Sequence, residues 1–147
     1  MKIKDIMRTP VISVNENASL REAAALLSSS RVNGLPVVNS AGDMVGIITE
    51  HDIIKTLMPS YQDILTSDAA VLSADLMESH VYHVRDRSVG SLMTKQVVTL
   101  QEGDTLLKAA SAMILKRVKM LPVVRGTKPV GIVSRIDIVN ALMQGGL

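Results

Sequence analysis

The chain has 147 residues, 47% of them hydrophobic, with a formal net charge of +2 and a pI near 9.0, which is enough for one compact domain or two small ones. The balance admits an anionic small ligand without requiring nucleic acid or an anionic membrane. Trp, Phe and Cys are absent and Tyr occurs twice, at Tyr61 and Tyr82. This leaves no aromatic platform for stacking single-stranded bases and excludes disulfides, cysteine nucleophiles and thiolate metal sites.

The core must therefore be aliphatic, built from Val, Ile, Leu, Ala and nine Met. Apolar runs fall short of the roughly 20 residues a membrane span needs. The opening Met1-Lys2-Ile3-Lys4-Asp5 lacks a signal-peptide core, so a cytoplasmic protein is expected.

In chain order, Val11–Val14 is a short extended piece. Leu20, Ala23, Ala24 and Leu27 follow at helical spacing, behind a Ser19-Leu20-Arg21-Glu22 capping box. Leu35–Val38 and Val45–Thr49 read as strands joined through Asn39-Ser40-Ala41-Gly42-Asp43, and Glu50–Leu57 as a helix that Pro59 ends. Ala69–Met77 is helix-compatible and Glu78–Arg87 is polar and basic, so 59–89 reads as an ordered linker containing a helix. The first pattern then returns: Val97–Leu100 extended, a helix on Leu106, Ala109, Ala110 and Met113, strands Leu121–Val124 and Val130–Ser134 about the turn Arg125-Gly126-Thr127-Lys128, and a helix Arg135–Met143.

The return is a repeat at an offset of 86 positions. Ile6-Met7 meets Leu92-Met93, Arg31-Val32 meets Arg117-Val118, and Leu35-Pro36-Val37-Val38 meets Leu121-Pro122-Val123-Val124. After a one-residue deletion in the turn, Val45-Gly46-Ile47 meets Val130-Gly131-Ile132, and Asp52-Ile53 meets Asp137-Ile138. The implied class is α+β, two β-α-β-β-α units over 1–58 and 90–147. One unit of about 55 residues is marginal alone. Its strands are apolar on both faces, so one face requires the sister unit, and a cleft between like halves is expected to hold a ligand.

Each second hairpin enters its helix through a hydroxyl residue with an acid three positions on: Gly46-Ile47-Ile48-Thr49-Glu50-His51-Asp52 and Gly131-Ile132-Val133-Ser134-Arg135-Ile136-Asp137. Read locally, this is a capping box. The same geometry suits a nucleoside phosphate: a helix N-terminus favours phosphate, and a carboxylate one turn in can accept both ribose hydroxyls. Spacing alone leaves both readings open.

The ordered set of Ile-Met or Leu-Met opening, Leu-Pro-Val-Val strand and Gly-h-h-Ser/Thr-x-x-Asp closing motif, each present twice, resembles the cystathionine-beta-synthase-type (CBS) domain family over nearly all the chain outside the linker. The resemblance implies two pseudo-symmetric repeats packed through their sheets, with clefts for AMP, ADP, ATP or S-adenosylmethionine as a regulatory ligand rather than a required cofactor. It implies that Asp52 and Asp137 hold ribose and that Thr49 and Ser134 contact phosphate or ribose. Val11, Ile12, Val97 and Val98 would line adenine pockets. Val32, Asn33 and Gly34, and Val118, Lys119 and Met120, would face the ligand beside Pro36 and Pro122, with Lys119 placed for phosphate. Where the family often carries Arg before the final Asp, this chain has His51 and Ile136, with Arg135 one residue earlier. A phosphate attraction resting on His51 weakens as pH rises.

The resemblance also implies a homodimer formed through helices; the terminal helices carry suitable apolar faces (Ile53, Ile54, Leu57; Ile138, Val139, Leu142), which could serve the internal core instead, and an effector protein could read the ligand state. A structural docking module without nucleotide is the alternative, and nucleic-acid binding is weaker still at this net charge. Asp75, Glu78, His80 and His83 could gather a metal on a helical face, but a solvated linker is the plainer reading and no metal is expected. Arg85 and Arg87 read as surface charges, and the Met residues as core filler. The chain carries no nucleophile motif, Walker loop or Gly-x-Gly-x-x-Gly, so no catalysis is expected.

Overall fold

The computed structural model describes residues 1–58 and 74–145. After a 3-10 turn at Ile3–Asp5, the first repeat comprises β1 (Val14–Asn15), α1 (Leu20–Ser30), β2 (Gly34–Val38), β3 (Met44–Thr49) and α2 (Glu50–Leu57). Helices α3 (Ala74–Val84) and α4 (Val89–Leu92) lead to the second repeat. That repeat comprises β4 (Leu100–Gln101), α5 (Leu106–Lys116), β5 (Met120–Arg125), β6 (Lys128–Ser134) and α6 (Arg135–Met143).

Each repeat forms a three-stranded sheet, β1-β2-β3 or β4-β5-β6. The first pair is parallel (Val14 opposite Val37, Leu100 opposite Val123) and the second antiparallel. A parallel pair needs a crossover, which α1 and α5 provide. Both helices start on a hydroxyl cap. Ser19 Oγ accepts the Glu22 N–H at 3.1 Å and Thr105 Oγ1 the Lys108 N–H at 3.1 Å. Both end on an arginine in the left-handed region, Arg31 at φ 54° and Arg117 at φ 53°, so each chain turns sharply before β2 or β5.

The expected first strands are shorter than the sequence suggests. Of Val11–Val14 only Val14 pairs, and of Val97–Leu100 only Leu100. The residues ahead of them cross to the other repeat and cannot join their own sheet. Arg8 exchanges backbone hydrogen bonds with Ile132 of β6 (2.8 and 3.3 Å), and Thr94 with Ile47 of β3 (2.9 and 2.8 Å). The expected linker helix at Ala69–Met77 lies outside the described residues up to 73. From Ala74 the helix continues beyond Met77, through the stretch read as merely polar, to Val84.

The crossing decides how the core is divided. Ile3, fully buried, packs with Leu100, Leu106, Leu121 and Ile138 of the second repeat. Val84 and Val89, at the end of the linker, pack with Leu20, Leu35 and Ile48 of the first, as do Leu92 and Met93 beyond it. Each repeat thus completes the hydrophobic core of the other. A third cluster, Ile47, Met120 and Ile132 with Val11 and Val97 against it, lies between the two sheets, which pack together as strands apolar on both faces required. At the far end the hairpin turns meet: the Met44 N–H donates to the Thr127 carbonyl at 2.8 Å, and Lys128 Nζ lies 2.9 Å from the Asp43 carboxylate.

Gly46 and Gly131 allow the crossing strands to lie this close. A Cβ on Gly46 would stand 2.6 Å from Met93 Sδ and 2.7 Å from the Thr94 carbonyl oxygen; on Gly131 it would stand 2.8 Å from Met7 Sδ and 3.2 Å from the Arg8 carbonyl oxygen. Only a residue without Cβ permits that approach.

Candidate functional site

Two clefts open between the repeats. The first, about 740 Å³, is within the size range of small-molecule sites. Its first-repeat wall is the end of β3 and the start of α2, with Thr49, His51 and Asp52. Its second-repeat wall brings Val97 and Val98 together with Val118, Lys119 and Met120, and Asn33 closes one side. The second, about 270 Å³, gathers Val32 and Asn33 of the first repeat with Lys119, Met120, Ser134 and Arg135 of the second. Both clefts are composite, pairing the hydroxyl-acid motif of one repeat with the residues before the Leu-Pro strand of the other.

Six of the sequence-derived candidates lie apart from both linings. Val11 packs into the inter-sheet cluster and Ile12 is exposed. Gly34 is buried beside Met120. Pro36 and Pro122 are fully buried within their strands, opposite Ile47 and Ile132. Asp137 is absent from the lining of the second cleft and meets it through Arg8 and Ser134.

The two carboxylates are held differently. At Asp52 the capping box is formed in both directions: Oδ2 accepts the Thr49 N–H at 3.0 Å, and Thr49 Oγ1 accepts the Asp52 N–H at 3.1 Å. The local reading of the motif is therefore correct, and the same carboxylate still faces the cleft, where the Thr94 hydroxyl donates to it at 3.1 and 3.3 Å. At Asp137, Oδ2 accepts both the N–H and the hydroxyl of Ser134 at 2.8 Å. Arg8 Nε donates to Oδ1 and Oδ2 at 3.0 and 3.1 Å. The carbonyls of Asn33 and Lys119 accept the first N–H of α2 and of α6, at 2.9 and 3.1 Å, tying the loop before each sheet to a helix start.

Lys116 and Arg117 join Lys119 and His51 around the first cleft, against the carboxylates of Glu50 and Asp52. The floor is apolar, with Ile47, Val97, Val98 and Leu121. An apolar floor under a rim carrying more cation than anion suits a flat heterocycle with an anionic or zwitterionic tail. Arg8, Thr94, Lys116 and Arg117 were missed from the sequence. Arg8 and Thr94 each follow the Ile-Met or Leu-Met opening, and that shared position was the available signal.

The two histidines among the metal candidates are engaged separately. His80 Nε2 lies 3.0 Å from the Thr56 carbonyl oxygen of α2, and His83 meets the edge of Tyr82. No group of potential metal ligands is found among the described residues. Arg85 stacks over Tyr82 at 4.1 Å. Among the described residues no helix is long and apolar enough to cross a membrane.

A family model, CBS domain, matches residues 3–59 and 89–144. The chain belongs to the CBS domain family, as a pair of such domains. Protein MJ1426 of Methanocaldococcus jannaschii is 32% identical, over 97% of this chain and 92% of the relative. The CBS domain of a membrane protein from Sphaerobacter thermophilus is 30% identical with TM-score 0.75, covering 95% of this chain and 86% of that one. The CBS domain pair of protein MJ0100, solved in complex with 5'-methylthioadenosine and S-adenosylmethionine, is 28% identical with TM-score 0.71, covering 100% and 98%.

Proposed function

We propose that the chain is a regulatory module whose first cleft binds an adenosine-containing ligand, drawn from AMP, ADP, ATP and S-adenosylmethionine. The observation that carries this reading is the meeting of Asp52 with an apolar wall from the other repeat under a basic rim. Asp52 holds the ribose hydroxyls, Val97, Val98 and Val118 flank the base, and Lys119, Arg117 and His51 face the phosphate or amino-acid tail. The ligand complex of the MJ0100 domain pair supports the adenosine assignment. A ligand touching both repeats favours one arrangement of the halves, and a separate effector protein reads that arrangement.

Helices α2 and α6 divide between two tasks. Ile53 and Ile138 are buried in their own repeats, while Ile54, Val139 and Met143 are exposed, Ile54 by 60% and Met143 by 81%. These exposed side chains support a homodimer through the helices, the arrangement a purely structural docking module would also use. Thermal unfolding with each of the four ligands separates the two readings. A ligand at one hundred times its dissociation constant stabilises by about 2.7 kcal/mol, and Asp52→Ala should abolish the shift. Absence of any shift across all four ligands would leave the docking module as the function.

A further inference from the structure

The internal repeat makes the two clefts equivalent in backbone, yet one pair of matching positions puts unlike side chains on their two carboxylates. Met7 and Met93 take corresponding places, against Gly131 and Gly46. The next residue is Arg8 on one side and Thr94 on the other. Each makes the backbone exchange with the facing strand and each puts its side chain on the carboxylate of the facing hydroxyl-acid motif.

A threonine hydroxyl is donor and acceptor and can rotate. A ribose hydroxyl can replace it on Asp52 while Thr94 turns to accept. A guanidinium is a donor only and carries a fixed charge. It engages both Asp137 oxygens, one of which already takes two hydrogen bonds from Ser134. The Asp137 side chain is left 13% exposed. Ribose could bind there only by expelling Arg8. The space follows the chemistry: Arg8 lines the second cleft, whose 270 Å³ compares with 740 Å³ for the first and falls below the roughly 300 Å³ at which small-molecule sites begin.

We infer that Arg8 occupies the ribose position of the second cleft and thereby restricts the chain to one nucleoside site, at Asp52. This rests on the reading of the first cleft given above. The Arg8 side chain is 49% exposed, so its ion pair alone resists displacement by a factor of no more than about five in affinity. Occupied space and a saturated carboxylate account for the rest.

The test is calorimetric titration of the intact chain with AMP and, separately, with S-adenosylmethionine, counting equivalents bound. The wild type should take up one equivalent and Asp52→Ala none. Arg8→Thr, which puts beside Asp137 the hydroxyl that Asp52 has, should bind two, and Arg8→Thr with Asp52→Ala should bind one. The reciprocal Thr94→Arg should lose the wild-type site while unfolding as a native protein does. Two equivalents on the wild type would overturn the inference, as would one on Arg8→Thr or undiminished binding by Thr94→Arg. Retention by Asp52→Ala with loss in Arg8→Thr would show Arg8 to be a ligand-binding group instead. Heat from none of the chains would sink the reading of the first cleft and this inference with it, whereas a single equivalent unchanged by Arg8→Thr sinks this inference alone.

Discussion

Gly46→Ala tests the crossing that holds the two repeats together. The added methyl would stand 2.6 Å from Met93 Sδ and 2.7 Å from the Thr94 carbonyl oxygen. The sulfur can swing aside, but the carbonyl is backbone and is fixed by two hydrogen bonds between Thr94 and Ile47, at 2.9 and 2.8 Å. Either β3 is overpacked, which costs about 1–3 kcal/mol, or residues 93–94 lift away and forfeit about 0.5–1.5 kcal/mol for each hydrogen bond. By either route a loss of about 1–3 kcal/mol is expected, a large share of the roughly 5–15 kcal/mol that stabilises a typical domain. Urea unfolding followed by circular dichroism measures it. Because Thr94 also donates to Asp52, adenosine-ligand affinity should fall with stability. Gly131→Ala should be milder, since its nearest backbone contact is the Arg8 carbonyl at 3.2 Å. If Gly46→Ala unfolds within 0.5 kcal/mol of the wild type, the close approach is not the constraint described.

Ile3→Ala should cost about 2–5 kcal/mol despite lying near the start of the chain, because its side chain is fully buried in the core of the second repeat; an unchanged urea midpoint would contradict that placement. Thr105→Ala removes the acceptor for the Lys108 N–H and should lower stability by about 1 kcal/mol in the same assay. Acid should destabilise the fold through three surface carboxyls. Hydrogen bonds from Thr127 and then Lys128 hold Asp43 below its ordinary 3.8, the Arg125 guanidinium holds Glu102 below 4.5, and the Gln101 N–H holds Asp104 below 3.8. A lowered folded-state pKa means the unfolded chain binds more protons in this range, so the contribution is whole above about pH 4.5 and drains away as pH falls through the folded values. Urea midpoints measured from pH 6 down to pH 3 should decline, and Glu102→Gln should flatten the decline; a profile identical to the wild type would remove the Arg125 pair from the account.

Much of each repeat was legible because its signals are local. Helices α2 and α6 run over Glu50–Leu57 and Arg135–Met143, the bounds expected from sequence, since Thr49 and Ser134 with their acids mark a start that needs no distant partner. The hairpins β2–β3 and β5–β6 were equally plain from β-branched runs about short turns. The first strands were overdrawn because only their last residues pair within the sheet, while Arg8 and Thr94 just ahead of them pair with the other repeat, and an apolar extended segment looks the same whether or not it pairs.

The chain by itself determined the duplication, the alternation of helix and strand, and the two hydroxyl-acid motifs at helix starts, because periodicity and capping depend on neighbours a few residues apart. Only the tertiary structure decided that Ile3 and Val89 serve opposite repeats, that the first cleft takes its acid from one half and most of its apolar wall from the other, and that Arg8 lies on Asp137 where Thr94 lies on Asp52. The hydrophobic effect has no direction. An apolar pattern therefore says which side of a segment must be covered, while the choice of what covers it falls to chain reach and packing across the whole molecule.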